Sequence, residues 1–124
     1  MALGVREESG ERIVEGAPGA SLMHRPQDAT LVLESCFSAL ARAALLYPEN
    51  LTPRFFDLSS GETGEVLDKL RRFQVRLAIV CSSGTVHFSS RFREILSDDL
   101  SIFETCEDAR RWLAERPQVS TDRP

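Results

Sequence analysis

Apolar residues along this chain fall into short continuous runs and helical stripes, and their order predicts a layered fold. Val66, Leu67, Leu70 and Phe73 recur at three- and four-residue steps, one face of a helix. Glu65, Asp68, Lys69, Arg71 and Arg72 fall largely off that stripe. Val75 to Cys81 is then almost wholly apolar, as a central parallel strand covered on both faces would be. Upstream, Pro53 precedes the adjacent rings Phe55 and Phe56, which predicts a short turn burying at least one of them. Ser59 stands three residues before Glu62, the spacing of a capping box at a helix start. Glu65 and Lys69 are four apart with the acid first, the favourable order for a helix ion pair. Gly64 costs the helix about 1 kcal/mol against Ala. A close approach to another backbone would account for it.

The remaining elements are placed around this stretch. Ala2 to Glu7 and Arg12 to Glu15 predict two strands of a hairpin turning at Ser9-Gly10. Gly16, Pro18 and Gly19 break the pattern, and Ala20 to Met23 predicts one more short extended piece. Pro26 suits a first helical turn. Ala29, Val32, Leu33, Cys36, Phe37 and Leu40 then form an inward stripe, and Arg42 ends the helix. Ala43 to Tyr47 predicts a strand stopped by Pro48, and Glu49 to Arg54 a polar connection. After Cys81, Ser82-Ser83-Gly84 reads as a turn leading to Val86–Phe88. Ser89 or Ser90 would cap a helix through Leu96, with Phe92, Ile95 and Leu96 inward, ended by Ser97-Asp98-Asp99. Leu100 to Phe103 predicts the last strand. Thr105 and Asp108 predict the cap of a last helix, with Ala109, Trp112 and Leu113 on one face and Pro117 as its stop.

Alternation of this kind implies a single α/β domain: a mainly parallel mixed sheet of about five strands, right-handed crossovers and about four helices. The domain is expected over residues 1–116, with a disordered tail over 117–124.

Composition narrows the function classes. A net charge of −4 argues against a general nucleic-acid binder, whose footprint would be a basic face, so no nucleic-acid partner is expected. No run of about 18 apolar residues exists to cross a membrane. The opening residues MALGVREESGER lack the pattern of a secretory signal. Three widely spaced cysteines, Cys36, Cys81 and Cys106, read as reduced thiols of a cytoplasmic protein.

Candidate chemistry is sparse. Ser59 and Ser60 stand at a helix N-terminus, where amides and the helix dipole favour an anion, so the turn reads as phosphate-binding or phosphorylated. The plainer reading is an ordinary cap. Cys81-Ser82-Ser83 follows the central strand, and open α/β sheets place ligands at such carboxyl ends. His87 would complete a Cys–His pair there, whereas a buried Cys is usually a small hydrophobe. His24, His87 and the cysteines lack any metal-ligand spacing, so no metal, cofactor or catalytic residue is expected. Lys69, Arg71, Arg72 and Arg76 form a basic cluster, either a solvated helix face or a surface for an acidic partner.

Several short motifs share one resemblance. They are Gln27-Asp28-Ala29, Phe55-Phe56-x-Leu58, Gly61, Gly64-Glu65, Lys69, Val75-Arg76-Leu77-Ala78, Ser90-x-Phe92-Arg93 and Glu107-Asp108-Ala109. From Gln27 to Leu113 the chain resembles the bacterial family called domain of unknown function 4180. It departs at Asp68, where the family usually has Gln, at Arg72-Phe73, where it has Asn-Tyr, and at Cys81-Ser82, where it favours Gly-Asp. Asp57-Leu58-Ser59-Ser60-Gly61 also resembles the Asp-Ser-Ser-Gly turn of STAS-like domains, with Leu58 inserted. In anti-sigma antagonists of that group a serine of this turn is phosphorylated and controls partner binding.

The resemblance implies a STAS-like α/β sandwich acting as a non-catalytic regulatory or protein-interaction domain. Its working face would be Asp57, Ser59, Ser60, Gly61, Glu65 and Lys69, and its partner an unknown protein. The alternative is a small-molecule or anion-binding domain, or a minor enzyme, with a pocket at the sheet's carboxyl edge by Ser60, Cys81, Ser82 and Ser83. A homodimer through an exposed strand edge is compatible with either.

Overall fold

Five strands form one sheet in strict chain order in the computed structural model, which describes residues 3–81, 94–97 and 99–115. β1 (Leu3–Glu8) and β2 (Glu11–Gly16) make the expected antiparallel hairpin. Its turn residues Ser9 and Gly10 have φ of 51° and 85°, the double positive φ that matches strand twist in a two-residue hairpin loop. β3 (Ala43–Leu46), β4 (Arg76–Val80) and β5 (Leu100–Phe103) follow, with β2, β3, β4 and β5 all parallel. The sheet is therefore mixed and mostly parallel.

Three α-helices are described: α1 (Ala29–Ala39), α2 (Glu62–Arg72) and α3 (Cys106–Ala114). Crossovers of one hand in a sheet built in chain order place their helices on one face. Accordingly α1 and α2 share a core with Val14, Ala44, Leu46, Leu77, Ile79 and Leu100. α3 covers the other face, packing Ala109 and Leu113 on Ile13, Leu45, Ala78 and Val80. The alternation of side chains along β2, β3 and β4 divides these two cores. The start of the expected helix at Ser89 or Ser90, the Ser82-Ser83-Gly84 turn, Val86–Phe88, Phe92 and the 117–124 tail lie outside the described residues; of that helix's end, Glu94 is helical and Ile95 and Leu96 pack on the α1-side core.

Several expectations change. Ala20–Met23 forms no strand; Met23 is instead buried and bonded by its amide to the Asn50 carbonyl at 3.2 Å. The connection after β3 is not a surface loop throughout, because Asn50 is fully buried. Its Oδ1 accepts the Tyr47 amide at 2.8 Å, and its Nδ2 donates to the carbonyls of Ala17 and Ala20, each at 2.8 Å. One side chain thus ties the strand-end loops of β2 and β3 together.

The helix stripes are also narrower than predicted. α1 buries Ala29, Val32, Leu33 and Cys36, while Phe37 lies half exposed and Leu40 is 82% exposed. Leu40 takes the left-handed position (φ 56°) that turns the chain out of the helix, so its side chain leaves the stripe. Phe73 lies just past α2 and packs edge-on against Phe37, ring centroids 5.2 Å apart, at the surface. Gly64 is not forced by close packing: a Cβ there would meet nothing within 4 Å.

Candidate functional site

The connection from β3 to α2 is a succession of tight turns closed by its own polar groups. Phe55 is fully buried and stacks edge-on with Phe56 at 5.4 Å, as the paired aromatics predicted. The amide of Phe55 bonds to the Thr52 carbonyl, that of Asp57 to Arg54, and that of Ser60 to Asp57. A short 3-10 turn, Leu58–Ser60, carries the chain into Gly61, whose φ of 80° sets the entry into α2.

Ser59 does not cap α2. Its hydroxyl donates to Asp57 Oδ1 at 2.6 Å, and its amide donates to the same oxygen at 3.1 Å. The extra turn draws Ser59 back to Asp57 and leaves Gly61 at the cap position, so the expected Ser59–Glu62 box does not form. Ser60 serves instead: its Oγ accepts the Glu62 amide at 3.1 Å. The Ser60 hydroxyl has two carbonyl acceptors within reach, Asp57 at 2.7 Å and Arg54 at 3.0 Å. Glu62 reaches back to the Arg54 amide at 3.2 Å. Buried Thr63 donates from its hydroxyl to the Phe55 carbonyl.

The outcome is a turn fastened from behind by Ser60, Glu62 and Thr63, with Asp57, Ser59, Gly61 and Glu65 exposed in front. The Ser59 hydroxyl, then its amide, hold the Asp57 carboxyl below the usual carboxylate range, with Arg54 adding to this. A bound anion would meet the Asp57 carboxylate and find the amides of Ser59 and Glu62 already engaged. Lys69 is half-buried one turn beyond Glu65, and the two form no ion pair with each other among the described residues. The pair that forms on α2 is Asp68–Arg72, at 3.1 Å.

The basic cluster disperses. Arg71 is held by Asp99 at 2.7 Å and Arg72 by Asp68. Arg76 lies 4.1 Å over the Trp112 ring and donates to the carbonyls of Trp112 and Glu115 at 3.2 and 2.6 Å. It caps the C-terminal end of α3, where a cation is favoured by the negative end of the helix dipole.

At the carboxyl edge of the sheet, Cys81 is buried, with its amide on the Phe103 carbonyl at 2.9 Å. Burial first, and Glu104 second, push its thiol up. Ser82, Ser83 and His87 lie outside the described residues. On the α3 side of the same edge is a grouping that went unforeseen. The Tyr47 hydroxyl lies 2.8 Å from Cys106 Sγ. Arg110 holds Glu15 through two bonds of 2.7 and 3.0 Å, and Arg6 reaches Glu15 at 3.3 Å. Burial and the thiol contact push Tyr47 up to about 12. Strand register creates this grouping, since Glu15 lies opposite Leu45 and brings the end of β2 beside the end of β3.

Among the described residues, no three His, Cys, Asp or Glu side chains gather as a metal would require. No helix there is long and apolar enough to cross a membrane.

The model of one protein family, described as Domain of unknown function (DUF4180), matches residues 8–113. The chain belongs to the DUF4180 family. The match begins at the end of β1 and runs through β2 to α3, reaching further back than the motifs from Gln27. The Asp57–Gly61 turn, the Tyr47–Cys106 contact and both cores therefore belong to the DUF4180 domain. Neither curated proteins nor solved structures give a match.

Proposed function

We propose that this DUF4180 chain is a non-catalytic regulatory or protein-interaction domain of STAS-like architecture, working through the turn Asp57–Gly61 and the first turns of α2. The observation that carries this reading is the division of labour within the turn. Ser60, Glu62 and Thr63 spend their polar groups on the backbone behind it, while Asp57, Ser59 and Glu65 face outward. A surface held in one shape and presenting charge suits recognition of a protein, because little ordering entropy is lost on binding. Lys69 extends the same helix face, one turn on.

A phosphate on Ser59 would sit beside the Asp57 carboxylate and repel it, so modification would open the turn and act as a switch against partner binding. The chain is read as a bacterial, cytoplasmic protein, a placement that its three free thiols, two of them buried, support. The other reading, a small-molecule site or minor enzyme at the carboxyl edge, rests on Cys81 and its neighbours and is tested by thermal shift with nucleotides and small anions. Partner capture by wild type and by variants of the outward residues tests the main reading directly.

A further inference from the structure

We propose that β1 is the seam of a symmetric homodimer, pairing antiparallel with β1 of a second copy about a twofold axis at Val5. β1 has one neighbour among the described residues, β2, and no described residue pairs with the far side of its ladder. Charges usually blunt such an edge. Here Arg6 and Glu7 are already engaged within the hairpin, with Glu15 at 3.3 Å and Arg12 at 3.8 Å. Val5 is 58% exposed on that edge, and Leu31 of α1 is 45% exposed beside it. Between them runs a groove of about 540 Å³, lined by apolar Leu3, Val5, Leu22 and Leu31 and by polar Glu34, Ser35 and Ser38 of α1.

Register selects a second copy as the occupant. Val5 lies opposite Val14, which belongs to the α1-side core, while Arg6 lies opposite Ile13 of the α3-side core. A twofold perpendicular to the sheet keeps both α1 helices on one face. Residues opposite each other across the seam then share a face, so the axis passes through a residue paired with itself. Centring on Arg6 sets guanidinium against guanidinium, and centring on Glu7 or Glu8 sets carboxylate against carboxylate. Centring on Gly4 leaves a shorter ladder. Centring on Val5 sets Val5 against the partner's Val5, Gly4 against the partner's Arg6 and Leu3 against the partner's Glu7. Gly4 has open space where a side chain would stand, which leaves Arg6 of the other copy its bond to Glu15. The seam joins the two grooves into one, floored by the valine pair and walled by Leu31 of each copy.

The test is sedimentation velocity of the full chain from micromolar to hundred-micromolar concentration. Wild type is expected to shift to twice the monomer mass. Val5→Lys, which keeps a folded thermal transition because the site is exposed, should raise the dissociation constant by more than about tenfold by placing like charges on the axis. Under mild oxidation Val5→Cys should give a reducible dimer above the wild-type background, since directly opposite residues lie within disulfide reach. Arg6→Cys, two residues out of register with itself, should not. A monomer at every concentration overturns the proposal. So does a dimer indifferent to Val5→Lys, or cross-linking through Arg6→Cys and not Val5→Cys.

Discussion

Asn50 packs into the space where a side chain on Gly16 would stand. A Cβ at Gly16 would collide with Asn50 Oδ1 and lie 2.8 Å from its Cγ, so the two residues are matched. Asn50→Ala would strip the Tyr47 amide and the Ala17 and Ala20 carbonyls of their partner in a buried place. Each buried group left unsatisfied costs about 1–3 kcal/mol. Gly16→Ala would displace the same amide. Urea denaturation should show each single variant destabilised by at least about 2 kcal/mol. The double variant should cost less than the two together, because the clash is gone once Asn50 is removed. Additive losses would show that the two positions do not share that space.

Gly64 makes the opposite prediction. It sits exposed inside α2 with open space around its missing Cβ. Gly64→Ala should therefore stabilise the protein by about 1 kcal/mol, through helix propensity and a less disordered unfolded chain. The urea midpoint reads this directly. A loss of stability would mean that α2 lies closer to another backbone than the structure places it.

Ser59 and Ser60, adjacent and alike, should behave differently. Ser60→Ala removes the acceptor of the Glu62 amide and the donor to two carbonyls, and should cost about 1 kcal/mol. Ser59→Ala removes an exposed bond to the Asp57 carboxylate and should cost a small amount of stability at neutral pH. That difference should vanish at acid pH, where Asp57 is protonated in both proteins. Asp57 titrates below the ordinary value of about 3.9, so the stability it contributes is present above that value and is lost as pH falls through its lower folded value. Ser59→Ala should return Asp57 toward the ordinary range and flatten that acid limb. Carboxyl titration by NMR should show Asp57 rising in the variant and staying low in wild type.

The fully buried thiol of Cys36 contributes to the alkaline side, alongside Tyr47 and Cys81. Burial pushes it from 9.0 up to about 11, so the native protein keeps a proton that the unfolded chain releases. Stability should then fall as pH climbs from about 9 toward 11, and Cys36→Ala should reduce that slope although it lowers stability at neutral pH. Alkylation of the native protein should spare Cys36 and reach it only on unfolding. Rapid labelling of Cys36 in the folded state would contradict its burial.

Much of the architecture was legible because it is written in local pattern. The Ser9-Gly10 turn between β1 and β2, the apolar run at β4 and the Thr105 cap each depend on neighbours within a few positions. Thr105 Oγ1 does accept the Asp108 amide, at 3.1 Å. What escaped depends on tertiary placement. Asn50 has the composition of a surface loop residue and is buried because three backbone groups converge on it. Arg76 was grouped with its neighbours on α2, yet it is spent on α3. Tyr47 and Cys106 are 59 positions apart and meet through sheet order and the helix that follows β5. At the candidate site, the Ser-x-x-Glu spacing pointed to the right turn and the wrong serine. The carboxylate of Asp57, two residues before Ser59, captured the hydroxyl that the cap required.

The measurement closest to the central claim is quantitative partner capture from the native host, comparing wild type, Glu65→Lys and Arg111→Glu. Glu65 is exposed on the proposed face, and Arg111 is exposed on α3, away from it. All three proteins should fold alike. A protein partner retained by wild type and Arg111→Glu, and lost from Glu65→Lys, is the predicted result. Identical capture by all three would contradict the assignment of the Asp57–Gly61 turn and the start of α2 as the working face.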